Sequence, residues 1–332
     1  CEYLEDPIAI NEAAPRLGWE LEASGRNRAQ TAYQVLVAST AELLAKDLGD
    51  LWNSGKVTSD ETVNLSYRGG ELTSRVSCFW KVRVWDQNNV SSDWSSVAQW
   101  SMGLLDSTDW QAKWIGYDAA LYDTIAFGPQ PWGNGITRKT EYRPLPCPYL
   151  RKEFKLNENI ESAKVYITAL GIYELHINGE RVGKDYFTPG WTDYNKRIYY
   201  NAYDISSLLR QGENTIAVIL ADGWYAGNIA DRGQHYYGKH LRLKAQLEIQ
   251  REGNEPIVLI TDGSWKAAFG ALREADMQAG ETYDARLEPI GWRNIGFDDS
   301  QWSDVVESDS ITAPLEAYPS KTVQKMEEIK PI

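Results

Sequence analysis

Apolar and polar positions alternate with a period of two along much of the chain, which predicts strands rather than helices. Residues 31–39 place Tyr33, Val35 and Val37 on one face. Residues 78–86 alternate Trp80, Val82 and Val84 against Lys81 and Arg83. Asp86-Gln87-Asn88-Asn89 then supplies a turn before a closing strand over 95–102. Residues 40–48 break the pattern with one short helix, for which Thr40 is the expected N-cap. Strands at roughly ten-residue spacing predict an immunoglobulin or fibronectin type III-like sandwich over 1–102.

Residues 103–148 read as a connector and a loop rich in proline and glycine, with Pro129, Pro131, Pro144, Pro146 and Pro148 beside Gly128, Gly133 and Gly135. From 149 the strand pattern returns. Residues 163–177 form an apolar-rich strand pair, and Asn178-Gly179 is a strong hairpin signal. Asp204 is placed to cap a helical turn over 204–209, ahead of a strand over 215–220. Residues 240–250 point Leu241, Leu243, Ala245, Leu247 and Ile249 inward, with Arg242, Lys244, Gln246, Glu248 and Gln250 outward. The expected fold class is all-β: the first sandwich, then a galactose-binding-like jelly-roll sandwich over 149–290. Residues 291–332 read as the end of that sandwich and the start of a further, truncated domain.

Composition narrows the chemistry. The 332 residues hold 14 Trp and 19 Tyr against 6 Phe, a bias toward rings that pack with a face and hydrogen-bond at an edge. Such rings suit sugar faces, although core packing is the commoner use of any single Trp. A net charge of −13 opposes nucleic acid and anionic membrane surfaces. No apolar run reaches the ~18 residues a membrane span needs. Three histidines, His176, His235 and His240, and three scattered cysteines leave no zinc or disulfide framework. The sequences HExxH, GxSxG and GxGxxG are absent, and no Gly-Lys pair is followed by Ser or Thr.

Several runs together carry a resemblance. Residues 174–183 (ELHINGERVG), 203–209 (YDISSLL) and 212–219 (GENTIAVI) look like the jelly roll attached to many glycoside hydrolases. Residues 189–194 (PGWTDY), 221–227 (ADGWYAG) and 280–286 (GETYDAR) resemble the N-terminal region of bacterial α-L-rhamnosidases, glycoside hydrolase family 78. Residues 14–19 (APRLGW), 30–34 (QTAYQ), 79–86 (FWKVRVWD) and 109–116 (DWQAKWIG) resemble that family's leading sandwich and connector. On this resemblance Cys1 is expected to be an interior residue of a longer chain.

The resemblance implies hydrolysis of terminal α-L-rhamnosyl residues with inversion, by a carboxylic acid and a carboxylate carried on a large helical barrel. No such barrel is expected in this chain, so no catalytic residue is assigned and the chain alone is expected to be inactive. Its implied role is scaffold, with a candidate carbohydrate-binding face. The implied partners are rhamnose-containing oligosaccharides, polysaccharides or glycosides and the protein's own catalytic domain. A periplasmic or secreted setting follows from the family alone, and the sequence leaves the compartment unassigned. A stand-alone sugar-binding protein, or the leading domains of another exo-glycosidase, would use the same sandwiches.

The candidate carbohydrate-binding residues are Trp191, Asp193, Tyr194, Asp222, Trp224, Tyr225, Asn228 and Tyr283. Some family members bind rhamnose through calcium, and on that resemblance Asp193, Asn195, Asp222 and Asn228 would supply oxygen ligands. The competing use of these residues is in turns and ring packing. Asp284 and Arg286 are expected to share a strand face and pair, and His176 to lie on a polar surface face between Glu174 and Asn178.

Overall fold

The computed structural model describes residues 1–118, 145–230 and 232–331; most of the proline- and glycine-rich run lies outside them. The chain is nearly all β and divides into two compact units. The first comprises Cys1–Asp109 with Pro319–Lys321; the second comprises Trp110–Tyr318 and Thr322–Ile332.

In the first unit, Gln30–Ala38 and Ser77–Asp86 pair antiparallel, flanked by Trp52–Asn53 and Ala98–Ser101. The alternation works as expected: Tyr33, Val35, Val37, Trp80 and Val82 share one core with Leu17, Leu65 and Trp100. Thr40 caps the helix Ala41–Ala45, its hydroxyl accepting from Leu43 N at 3.2 Å, and Leu44 is buried. Much of the Trp content is used here in packing. Tyr67 meets Trp52 and Trp100 edge-on, while Arg83 lies over Trp85 and Trp94 at 5.2 and 4.6 Å.

The second unit is a sandwich of two sheets. One runs in the order Val306–Ser308, Trp114–Gly116, Arg242–Arg251, Ser162–Leu170, Ile198–Asp204, Leu315–Ala317, with Asn254–Ile260 also on Arg242–Arg251. The other runs Glu180–Arg181, Ile172–Ile177, Gly212–Ala221, Pro148–Leu156, Lys266–Phe269, Ser303–Asp304. Leu150, Val165, Ile167, Leu175, Val218, Leu243 and Leu247 fill the space between them. Each such side chain contributes about 1.5–3 kcal/mol by leaving water. The residues after 291 supply three of these strands, at Ser303–Asp304, Val306–Ser308 and Leu315–Ala317.

A hydrogen-bond knot locks one part of this sandwich. Asn178 and Gly179 have φ of 51° and 87°, and they connect the pairs His176–Arg181 and Ile177–Glu180. The Asn178 side chain donates to Leu208 O and Asn214 Oδ1, each at 2.8 Å, and accepts from Thr215 N at 2.9 Å. Asn214 is fully buried; it accepts from Arg210 N and donates to Arg210 O and Gly212 O. The helical turn is a 3-10 turn at Ser206–Leu208, with Asp204 bonding Ser206 as an Asx turn rather than as an N-cap.

Two expectations need correction. Of the residues expected to face outward from 240–250, Arg242, Gln246 and Glu248 are buried and Lys244 half-buried, because residues flanking the strand Trp114–Gly116 lie against that side of the sheet; Gln250 is exposed as expected. Gln246 Oε1 accepts from Gln111 N at 2.7 Å, and Arg242 forks onto Asp118 at 2.8 and 2.7 Å. His176 is buried beside Trp292 rather than on a surface, and burial, aided by the charge of Arg293, lowers its pKa to about 4. The segment 292–299, which carries Trp292 over His176, is held by Arg151, itself buried, which donates to the carbonyls of Trp292, Asn294 and Phe297 and pairs with Glu153 and Asp299.

Candidate functional site

Away from the knot, motif residues converge at another part of the second unit. Gly223–Ala226 forms a single helical turn directly after the strand Gly212–Ala221. Its two glycines are sterically required. Gly223 has φ of 52°, and a side chain at Gly227 would come within 2.4 Å of Gly223 O and 2.6 Å of Asp276 Oδ2. That close approach sets Asp222 beside Asp276, 54 positions later.

The two carboxyls differ in what they touch. Asp276 accepts from the backbone N–H groups of Asn228, Gln278 and Ala279 at 2.6, 2.8 and 2.7 Å. No described residue donates to the side chain of Asp222. Desolvation, with the charge of Asp276 adding to it, pushes Asp222 up to about 7. Asp276 was not singled out from sequence. Its local signal is an Asx turn at the tip of the hairpin Leu272–Asp276/Gly280–Tyr283, but its pairing with Asp222 is a long-range contact.

Aromatic rings adjoin this carboxyl pair. Tyr194 is only 6% exposed, its ring edge-on to Tyr225 at 5.3 Å and Tyr237 at 5.0 Å. Trp224 packs against the same cluster and meets Phe187 at 6.2 Å. Trp191 is different: it is 53% exposed, and no ring of a described residue stacks on it. Tyr283 is also exposed, its hydroxyl donating to Glu288 at 2.8 Å. Asp284 and Arg286 do pair, at 2.7–2.8 Å, but across a 3-10 cap rather than along a strand.

The four residues considered for calcium fall into two groups by their contacts. Asn195 bonds the Asp193 carboxylate through its backbone and side chain at 3.2 and 3.3 Å, and Lys196 lies 3.5 Å from the same group. Asn228 lies with Asp276, next to Asp222. Among the described residues no three His, Cys, Asp or Glu side chains are arranged to hold a metal ion. Among those residues no helix is long and apolar enough to cross a membrane.

Known proteins resemble nearly the full length of the chain. Residues 1–106 match the Rha78A-like N-terminal immunoglobulin domain, and residues 158–327 match the α-L-rhamnosidase N-terminal domain. An α-L-rhamnosidase of Formosa agariphila is 35% identical over 322 residues, covering 96% of this chain and 33% of that protein. The structure of α-L-rhamnosidase from Dictyoglumus thermophilum superposes with a TM-score of 0.84 at 35% identity, over 96% of this chain and 34% of its own. That of the Streptomyces avermitilis enzyme complexed with L-rhamnose gives 0.83 at 28% identity, over 95% and 45%. The chain spans about a third of the length of the curated relatives it matches first. With an immunoglobulin-like unit in front and the matching sandwich behind, the chain belongs to the α-L-rhamnosidase N-terminal domain family.

Proposed function

We propose that this chain is the N-terminal part of an α-L-rhamnosidase, and that its two units act as a scaffold for a catalytic region. That region would remove terminal α-L-rhamnosyl groups with inversion, from rhamnose-containing glycosides or polysaccharides. The observation that carries this reading is a likeness over nearly all of this chain that spans less than half of each of these rhamnosidases. The carboxyl pair fits a supporting role, since Asp276 spends its oxygens on backbone amides. The test is release of L-rhamnose from an aryl α-L-rhamnoside. The 332-residue chain is expected to release none, and the complete polypeptide encoded by the gene to release the β-anomer first by proton NMR. Release by the chain alone would overturn the reading.

A second use, sugar contact, is favoured by Trp191, whose indole is 53% exposed. Calorimetry with L-rhamnose, with and without calcium, tests it. Heat that disappears in Trp191→Ala supports a platform, and no heat in either condition leaves the scaffold role alone.

A further inference from the structure

We propose that the edge formed by Tyr186, Phe187 and Val323 is the docking surface for the polypeptide that continues beyond the N-terminal domain. This rests on the rhamnosidase reading above and adds a location to it. The strand Asp185–Tyr186 pairs antiparallel with Val323–Gln324, with Asp185 opposite Gln324 and Tyr186 opposite Val323. Asp185 fixes this departure point: its carboxylate accepts from the hydroxyl of Thr322 and, at 3.1 Å, from the side-chain amide of Gln324. From the other side Arg181 donates to Asp185 O and lies 5.0 Å from the Tyr186 ring. The route of the chain out of the sandwich is therefore set by side chains on both strands.

The surface at that exit is apolar. Tyr186, Phe187 and Val323 are 45%, 44% and 52% exposed, and Met326 and Ile329 follow at 93% and 82%. Single exposed apolar residues are ordinary, but Tyr186 and Val323 face each other where the two strands pair, Phe187 follows Tyr186, and Met326 and Ile329 follow in the departing chain, which makes the exit suited to burial. Phe187 also holds a φ of 57°, an uncommon conformation for an aromatic residue, and its ring continues onto Trp224 and the aromatic cluster. The match to the family domain ends at residue 327, three positions past the paired strand, while the relatives are about three times as long as this chain. The remainder of a rhamnosidase would thus start beside this patch, where a short tether gives it a high effective concentration over that surface. A second copy of the chain or a sugar could cover the same residues, and the test separates them.

The experiment is hydroxyl-radical footprinting, read by mass spectrometry, of the 332-residue chain and of the complete polypeptide encoded by the gene. Oxidation of Tyr186, Phe187 and Met326 is expected to fall roughly fivefold or more in the longer polypeptide as burial excludes solvent. Tyr3, 67% exposed in the immunoglobulin-like unit, serves as the comparison site. Asp185→Ala is expected to return part of that reactivity in the longer polypeptide and to leave the 332-residue chain unchanged. Equal rates in the two polypeptides would overturn the proposal. So would protection of the short chain by L-rhamnose, or protection that grows with its concentration. Rhamnoside hydrolysis measured on the same sample keeps the two readings apart. Protection without hydrolysis upholds the docking and sinks the functional reading; hydrolysis without protection does the reverse. A gene ending at Ile332 removes both.

Discussion

Two regions of the sandwich carry dense sequence motifs, and they are built in opposite ways. Around Asn178 and Asn214, buried amides, backbone groups and a two-residue turn satisfy one another. Around Asp222, a carboxyl sits beside a second carboxyl without a donor, and the half-buried rings of Trp224 and Tyr225 follow it in the chain. Motif density alone therefore does not separate scaffold from surface. The state of the polar groups does, since a satisfied buried network adds stability and an unpaired charge costs it.

Breaking a satisfied buried network, either that of Asn178 and Asn214 or the one Arg151 makes with residues 292–299, should have the largest effects. Arg151→Ala strands three backbone carbonyls and two carboxylates, and is expected to cost about 4 kcal/mol in urea unfolding. Asn214→Ala, measured the same way, is expected to cost about 3 kcal/mol because it leaves several backbone groups and Asn178 unpaired. A loss below about 1 kcal/mol in either would mean that the region relaxes and the contrast is weaker than drawn.

At the open end the effects should be smaller. Gly227→Ala must push the turn away from Asp276 and is expected to cost about 2 kcal/mol in the same urea unfolding. Trp191→Ala removes only an exposed ring, so its melting temperature should stay within about 1 °C of the parent. A large drop for Trp191→Ala would show that this residue belongs to the closed region after all.

The sequence made the local half of this contrast legible. Period-two alternation identified the core faces of 31–39 and 240–250, Thr40 identified a cap, and Asn178-Gly179 identified a turn. What it left out are contacts between distant segments. Gln246 and Arg242 read as solvent-facing because alternation reports which face a side chain takes, not whether another segment covers that face. His176 was misplaced for the same reason, since Trp292 lies 116 positions away. Of the candidate site, Trp191 and Asp222 were found, but Asp276 and Phe187 were not. Nothing local to either residue encodes its neighbour across the fold.

The contrast turns on whether the Asp222 carboxyl costs the fold stability when it ionises. Because its folded pKa is raised to about 7, the native state holds a proton that the unfolded chain has released above about 4. Stability from this group is therefore present at low pH and is lost as pH rises through about 7. His176 and His235, both lowered to about 4 by burial, act with the opposite sign on the acid side, so Asp222→Asn must be compared with the parent at each pH. The deciding measurement is urea unfolding of that pair from pH 5 to pH 8.5. The variant should match or fall below the parent at pH 5 and exceed it at pH 8.5, by on the order of 2 kcal/mol. A difference that stays constant with pH, or a variant less stable than its parent at pH 8.5, would contradict the account.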